Sequence, residues 1–258
     1  MTKPTIIAIA NQKGGVGKTT TAVNLGAGLA ARGLKTLIID LDPQGNASTG
    51  VGCSVRGREL TSYDLLAGRI TLPEVVIDTN IDGLKLVPST PDLSSADIDF
   101  SALPNRIRLM KAALSAEQDY KYILIDCPPA LGLLTVNALV AADTVLVPLQ
   151  AEFYALEGLS QLLMTVREVR QGANPDLRVD GVVLTMYDGR NNLSQQVEAD
   201  ARATLGELVY TTIIPRNVRI SEAPSHGLPV TIYDPASAGS RAYNALTGEF
   251  LDRQKEIA

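Results

Sequence analysis

Apolar residues along this chain fall into short runs separated by longer stretches with a helical period. Runs at 5–10, 36–40, 84–88, 121–126, 144–149, 180–185 and 210–214 are rich in Ile, Val and Leu. They are apolar at alternate and intervening positions alike, as strands covered on both faces of a parallel sheet are. Amphipathic or small-residue segments at 18–32, 104–117, 132–142, 156–171, 193–206 and 237–255 predict helices. Alternation of the two kinds predicts an α/β architecture with a mostly parallel, twisted sheet and helices on both faces. The segment 43–83 is the least regular, and predicts loops with one short helix near Ser62–Leu66. No internal repeat and no long Pro/Gly/Ser linker interrupts the pattern, so the expectation is a single domain over residues 1–258.

Composition narrows the class. The chain has 258 residues, 45% of them apolar, enough to bury a sizeable core. Its first residues, MTKPT, lead straight into a strand with no apolar h-region, and no apolar run approaches a membrane span. A protein without membrane contact, in the cytoplasm, is expected. Cys53 and Cys127 lie far apart and form no CxxC pair, which argues against a disulfide framework or a zinc site and for a reducing compartment. His226, the one histidine, falls in the turn-like run APSHGLP and reads as a loop residue. Net charge is −5, whereas a nucleic-acid-binding domain usually carries a basic surplus.

The run QKGGVGKTT at 12–20 carries the most specific chemistry. It lies between the first predicted strand and a helix-forming segment closed by Gly33, the context that a phosphate-binding loop requires. Glycines let successive backbone N–H groups turn inward toward phosphate oxygens, and the helix N-terminus adds partial positive charge at the same spot. Lys13, Gly14, Gly15, Val16, Gly17, Lys18, Thr19 and Thr20 are the expected nucleotide-binding residues. Lys18 would reach the β- and γ-phosphates, and the Thr19 hydroxyl would ligate Mg²⁺. The run departs from G-x-x-x-x-G-K-[ST] at Gln12, which stands at the first glycine, and it carries a second lysine, Lys13, inside the loop.

Acidic residues close two of the strands. In TLIIDLDPQGN, Asp40 and Asp42 flank Leu41 and would point the same way from the carboxyl edge of the sheet, where ligands of such folds bind. They are candidates for ordering Mg²⁺ waters and for positioning an attacking water; the alternative is that they cap a turn with Pro43 and Gly45. In YKYILIDCPP, Asp126 follows an apolar strand, the Walker B placement of an acid that holds Mg²⁺. Cys127 beside it reads as a small core residue. Two further segments, 184–192 and 214–229, follow strands and would rim the same edge. Pro215 and Asn217 are candidates to frame a purine, through a backbone carbonyl and a side-chain amide.

Taken together, KGGVGKTT with Lys13, IDLDPQGN, IDCPP, the run FYALEGLSQLL at 153–163 and IPRNVRISEAPSHGLP resemble the ParA/Soj family of deviant-Walker-A P-loop ATPases. The resemblance spans about residues 5–250. It implies an ATP- and Mg²⁺-dependent homodimer with two nucleotides sandwiched between subunits, working in chromosome or plasmid segregation. Lys13 resembles the signature lysine that crosses to the partner's phosphates, and Lys13, Lys18 and Asp40 are the catalytic set, with Asp40 positioning the hydrolytic water. Thr19, Asp126 and Asp42 are the implied metal-associated residues, and Pro215 and Asn217 the base contacts. The family's ATP-bound dimer coats DNA without sequence preference, which implies a nucleoid-associated protein. Arg190 and Arg219 match basic DNA contacts of its members, with Arg216 a nearby candidate, and a ParB-type centromere-binding protein is the implied activator. The C-terminal segment 241–258 is less basic than in some members, with Arg241, Arg253 and Lys255 set against Glu249, Asp252 and Glu256.

Three rival readings share parts of this pattern. A MinD-like membrane switch needs a basic amphipathic tail, whereas Tyr243, Leu246, Phe250 and Leu251 form a stripe among balanced charges, better suited to a core helix. An electron carrier like the nitrogenase iron protein needs paired thiolates, which Cys53 and Cys127 do not offer convincingly. A ParA-like positioner of another cargo, such as chemoreceptor clusters, has the same chemistry.

Overall fold

The computed structural model describes residues 3–116, 119–152 and 155–257. Phe153 and Tyr154, which open the run at 153–163, lie outside the described residues, as do Glu117 and Ala258. One seven-stranded sheet runs in the order β3-β4-β2-β5-β1-β6-β7. Its strands are β1 (Thr5–Ile9), β2 (Thr36–Asp40), β3 (Ile77–Asp78), β4 (Leu84–Val87), β5 (Tyr122–Asp126), β6 (Thr144–Gln150) and β7 (Arg178–Thr185). All pairings are parallel except that of β3 with β4. Five longer helices accompany the sheet: α1 (Lys18–Ala30), α2 (Leu133–Ala141), α3 (Ala155–Gln171), α4 (Asn192–Leu205) and α5 (Ala238–Ile257).

Strand alternation divides the core into two layers. Ile7, Ile9, Ile38 and Leu124 pack with α1 and α5 on one face of the sheet. Ile6, Leu37, Ile39 and Ile125 pack with α2, α3 and α4 on the other. The α5 stripe expected from the sequence is core: Tyr243, Leu246 and Phe250 are buried, and Leu251 packs against them. Complete burial of Leu246 and Phe250 contributes roughly 1.5–3 kcal/mol each. A stripe used in this way is not available to a membrane surface. Among the described residues no helix is long and apolar enough to cross a membrane.

Two predicted elements take a different form. The helix expected at 104–117 is broken into a 3-10 turn, Arg106–Arg108, and a five-residue helix, Leu109–Ala113. Buried Asn137, on α2, causes the break. Its amide oxygen accepts from Met110 N at 3.2 Å, and its amide nitrogen donates to the Arg106 carbonyl at 2.7 Å. Those two groups would bond each other in a continuous α-helix. The strand expected at 210–214 pairs with β7 only at its ends, through Tyr210 N to Val182 O at 2.9 Å and Ile214 N to Leu184 O at 2.8 Å. Between them, the Thr211 and Thr212 amides donate to the Glu249 carboxylate of α5 at 2.7 and 2.8 Å and so leave the ladder.

The irregular segment holds the expected helix Ser62–Leu66, and also helices Asn46–Gly50 and Leu72–Val75 and strand β3. Reciprocal caps, Thr61 with Asp64 and Thr71 with Glu74, start two of these helices. Such T-x-x-[DE] spacings are visible in a sequence and signal a helix start.

Candidate functional site

Parallel register brings three strand ends into line. Ile9 of β1 lies beside Asp126 of β5, and Asp126 lies beside Asp40 of β2. The loop leaving β1 therefore emerges next to Asp126, with Asp40 one strand further along, at the carboxyl edge where α/β folds bind ligands.

That loop is held from both sides. Asn11 donates to the Pro148 carbonyl at 2.8 Å and accepts from Lys13 N at 3.0 Å. Thr185, at the end of β7, donates to the Val16 carbonyl at 2.8 Å. Gly15 and Gly17 have φ of 73° and 86°, a left-handed backbone that residues with a Cβ adopt at a cost. Gly17 caps α1 without a side-chain partner, and the first turn of α1 carries no acidic residue. Its leading N–H groups are thus left for an anion. Gly14 and Gly15 are exposed, Val16 is buried, and Thr19 and Thr20 are half-buried at the helix start.

The two lysines are differently placed. Lys18 is only 6% exposed and lies back across the loop, its Nζ donating to the Lys13 carbonyl at 2.9 Å. Burial pushes its pKa below the usual lysine value, while the charges of Asp126 and Asp42 oppose that shift. Lys13 points the other way and pairs with Glu152 at 2.7 Å. Glu152 also accepts a hydrogen bond from Gln150.

Asp40 and Asp126 are both fully buried. Asp40 accepts from Asp42 N at 3.1 Å on Oδ1, and from Ser48 N at 2.8 Å and Ser48 Oγ at 2.7 Å on Oδ2. Burial raises its pKa to about 6 against the pull of those bonds. Neither Asp126 oxygen has a hydrogen-bond partner among the described residues. Burial drives its pKa well up, and the Asp40 charge adds to the rise; Thr19 and Lys18 oppose it. Asp42 is 7% exposed and accepts one hydrogen bond, from Gln44 N to Oδ1 at 2.9 Å. Its other oxygen, Oδ2, has no hydrogen-bond partner among the described residues.

An orphaned buried carboxylate beside a buried lysine and a threonine hydroxyl fits a hydrated Mg²⁺ delivered with a nucleotide. No group of three or more His, Cys, Asp and Glu side chains among the described residues makes a cage for a metal alone. Mg²⁺ on nucleotides commonly keeps its waters and phosphate oxygens and takes only one or two protein groups, so Thr19 and Asp126 are a sufficient set.

Beside Gly17 and Thr20 lies a cavity of about 250 Å³ lined by Thr185, Pro215, Asn217 and Tyr243. Its place next to the loop suits the base and ribose of a nucleotide. Asn217 has one hand free there. Its side-chain oxygen caps the helix Val218–Glu222 by accepting from Arg219 N at 3.0 Å, which leaves the NH₂ group as donor. The Pro215 carbonyl has no hydrogen-bond partner among the described residues.

Arg190, Arg216 and Arg219 are brought onto neighbouring segments, because Arg216 N donates to the Tyr187 carbonyl at 2.9 Å. Two of them are already neutralised. Arg190 binds both oxygens of Asp188 at 3.0 Å, and Arg219 pairs with Glu222 at 2.8 Å and Asp234 at 3.2 Å. Arg216 is exposed and makes no ion pair among those described. Neither Cys53 nor Cys127 is disulfide-bonded, and Cys127 is buried beneath the site.

The sequence patterns missed the donors that hold Asp40. Ser48 lies eight residues away and Ser89 reaches the same turn from beyond β4, so no local spacing announces them.

Known proteins agree with this geometry. A family model described as an AAA domain matches residues 4–179. The chromosome partitioning protein ParA of Caulobacter vibrioides is 52% identical over 254 residues, covering 97% of this chain and 95% of that protein. The sporulation initiation inhibitor protein Soj of Bacillus subtilis is 50% identical over 98% of both chains. The solved structure of cobyrinic acid a,c-diamide synthase from Mycobacterium smegmatis, with a bound ATP analogue and magnesium, superposes with a TM-score of 0.86 at 35% identity, covering 99% of this chain and 97% of that one. With its phosphate loop, its strand-end aspartates and half of its residues shared with these partitioning proteins, the chain belongs to the ParA/Soj family of chromosome-partitioning ATPases.

Proposed function

We propose that this chain hydrolyses ATP with Mg²⁺ and uses the nucleotide to switch between a monomer and a DNA-bound homodimer, in chromosome or plasmid segregation with a ParB-type activator. The observation that carries the reading is the left-handed glycine loop at the start of α1, beside a buried Asp126 whose two oxygens have no hydrogen-bond partner among the described residues.

Phosphoryl transfer asks a protein mostly for positioning and charge neutralisation. Loop amides from Gly14 to Thr20 bind phosphate oxygens, and Lys18 exchanges the Lys13 carbonyl for the β- and γ-phosphates. Thr19 and Asp126 would hold Mg²⁺, which supplies positive charge against the β- and γ-oxygens. Asp42, with its open oxygen at the carboxyl edge, is the better placed of the two aspartates to accept a hydrogen bond from the attacking water. Asp40, expected from the sequence to do this, is saturated by Ser48 and the Asp42 amide and shapes the turn instead. Lys13 leaves Glu152 to reach the partner's phosphates. Pro215 and Asn217 offer an acceptor and a donor to the base.

DNA binding is expected from the dimer, where the arginine segments of two subunits adjoin. Arg190 and Arg219 must trade carboxylates for phosphates, so binding is salt-sensitive and indifferent to sequence. For about four to six phosphate contacts, affinity should fall roughly two to three orders of magnitude between ~50 and ~200 mM salt.

Light scattering and filter binding, with ATP or ADP, test the switch. Wild type should dimerise and retain DNA with ATP only. Lys13→Ala should bind ATP yet stay monomeric and release DNA. Equal DNA retention in both nucleotide states would sink the switch, and a normal Lys13→Ala dimer would remove the trans role.

A further inference from the structure

Arg58 is a buried cation with no carboxylate partner among the described ion pairs. It is 8% exposed, and its Nε is buried without an acceptor. Removing a guanidinium from water is costly unless charges or several hydrogen bonds compensate, and an apolar residue would fill such a place more cheaply. The acceptors that Arg58 does find are informative. Nη1 donates to the Ser89 carbonyl at 3.0 Å. Nη2 donates to Thr49 Oγ1 at 2.7 Å and to the Cys53 carbonyl at 3.0 Å. One planar group thereby ties the helix Asn46–Gly50, the loop after it and the segment leaving β4.

One of those ties, to Ser89, leads to both aspartates. Ser89 donates its hydroxyl to the Asp42 carbonyl at 2.5 Å, and its amide donates to Ser48 Oγ at 3.1 Å. Ser48 in turn donates twice to Asp40. The guanidinium also lies against the turn itself. A Cβ added to Gly45, whose φ is 61°, would sit 2.1 Å from Arg58 Nη1. The turn Asp42–Gly45, closed by Gly45 N donating to Asp42 O at 2.9 Å, is thus clamped from outside by Arg58 and from beneath by Ser89.

We infer that Arg58 is a positioning residue for ATP hydrolysis: through Ser89 and Gly45 it fixes the turn that presents the open oxygen of Asp42. Arg58 touches neither the phosphate loop nor the base cavity, so its contribution falls on turnover and not on nucleotide affinity. Small displacements of a water-orienting group are costly in rate, because the in-line geometry is lost while ground-state binding persists. The inference rests on the hydrolytic reading given above.

Arg58→Met, which keeps the aliphatic stem, and Ser89→Ala, which removes only the hydroxyl on the Asp42 carbonyl, are the two variants. Steady-state hydrolysis, affinity for a fluorescent ATP analogue and thermal melting are measured on both. Each variant should lose about tenfold or more in kcat, with KM and analogue affinity within about twofold of wild type. A purely structural clamp would instead lower melting temperature, affinity and kcat together. The inference is overturned if either folded variant keeps wild-type kcat, or if affinity falls as far as kcat does. Should Arg58→Met fail to fold, Ser89→Ala alone decides by the same criteria. Absence of Mg²⁺-dependent hydrolysis in wild type would instead remove the hydrolytic reading itself.

Discussion

The ends of β2 and β5 place two aspartates side by side in register, both fully buried, in opposite states. Asp40 accepts three hydrogen bonds, and Asp126 accepts none among the described residues. Burial raises the pKa of both; the Ser48 and Asp42 donors oppose the rise at Asp40, and the nearby Thr19 hydroxyl and Lys18 charge oppose it at Asp126. A buried acceptor left empty costs stability, roughly 1–3 kcal/mol and more for a charge. Its presence at the foot of a phosphate loop marks the place where something else completes the bonding. The saturated neighbour marks where the chain completes its own shape. Equal position and equal burial therefore leave a hydrogen-bonded carboxylate in one strand and an unpartnered one, among the described residues, in the next.

The largest test removes the cation that faces only one of them. Lys18 opposes the pKa rise of Asp126 and does not figure among the influences on Asp40. Lys18→Ala should abolish measurable ATP binding by calorimetry, since it deletes the in-subunit cation of the loop. Near wild-type affinity in that variant would empty the contrast of functional meaning.

Amide substitutions sharpen the comparison next. Asp40→Asn turns a donor toward Ser48 and should lower stability by about 2–3 kcal/mol, read by chemical denaturation without nucleotide. Asp126→Asn forfeits no hydrogen bond and should leave apo stability equal or higher. Its Mg²⁺-dependent turnover should drop by roughly two orders of magnitude, the scale for losing one group that stabilises developing charge. Similar destabilisation in both variants would show that Asp126 is as structural as its neighbour.

The smallest effect lies in the pH dependence. For an acid whose pKa is raised on folding, the native state holds the extra proton. Its stabilising share is full below the unfolded pKa, near 3.9, and is lost as pH rises through the folded value. For Asp40 that window runs up to about 6, and Asp126 acts in the same direction. Asp188, lowered to about 2 by Arg190, has the opposite sign but titrates below this range. The melting temperature of the apo protein in chelator should fall between about pH 4 and pH 7, and the slope should be shallower in Asp126→Asn. A slope unchanged by that substitution would mean that Asp126 keeps an ordinary pKa.

Much of the site is legible in one dimension because a phosphate loop is built from consecutive residues. Gly15, Gly17, Lys18 and Thr19 need only a strand before them and a helix after. Asp40 and Asp126 were also legible as strand ends. The different hydrogen bonding of Asp40 and Asp42 was not, because alternation places both on one side and says nothing of Ser48 or Ser89. The arginines at 190, 216 and 219 were legible as cations, but their pairing with Asp188, Glu222 and Asp234 emerges only from the folded contacts.

Local pattern and composition by themselves determined the α/β class, six of the seven strands, the phosphate loop and the family, because each depends on residues close together in the chain. Tertiary structure alone decided the rest. Asn137 took a helix's own amide and carbonyl, Glu249 drew two amides out of a strand, and Arg58 reached the turn of Asp42 by way of Ser89. In each case one side chain, distant in sequence, offers a backbone group a better partner than its neighbours do, and only the packing of layers brings that partner within reach.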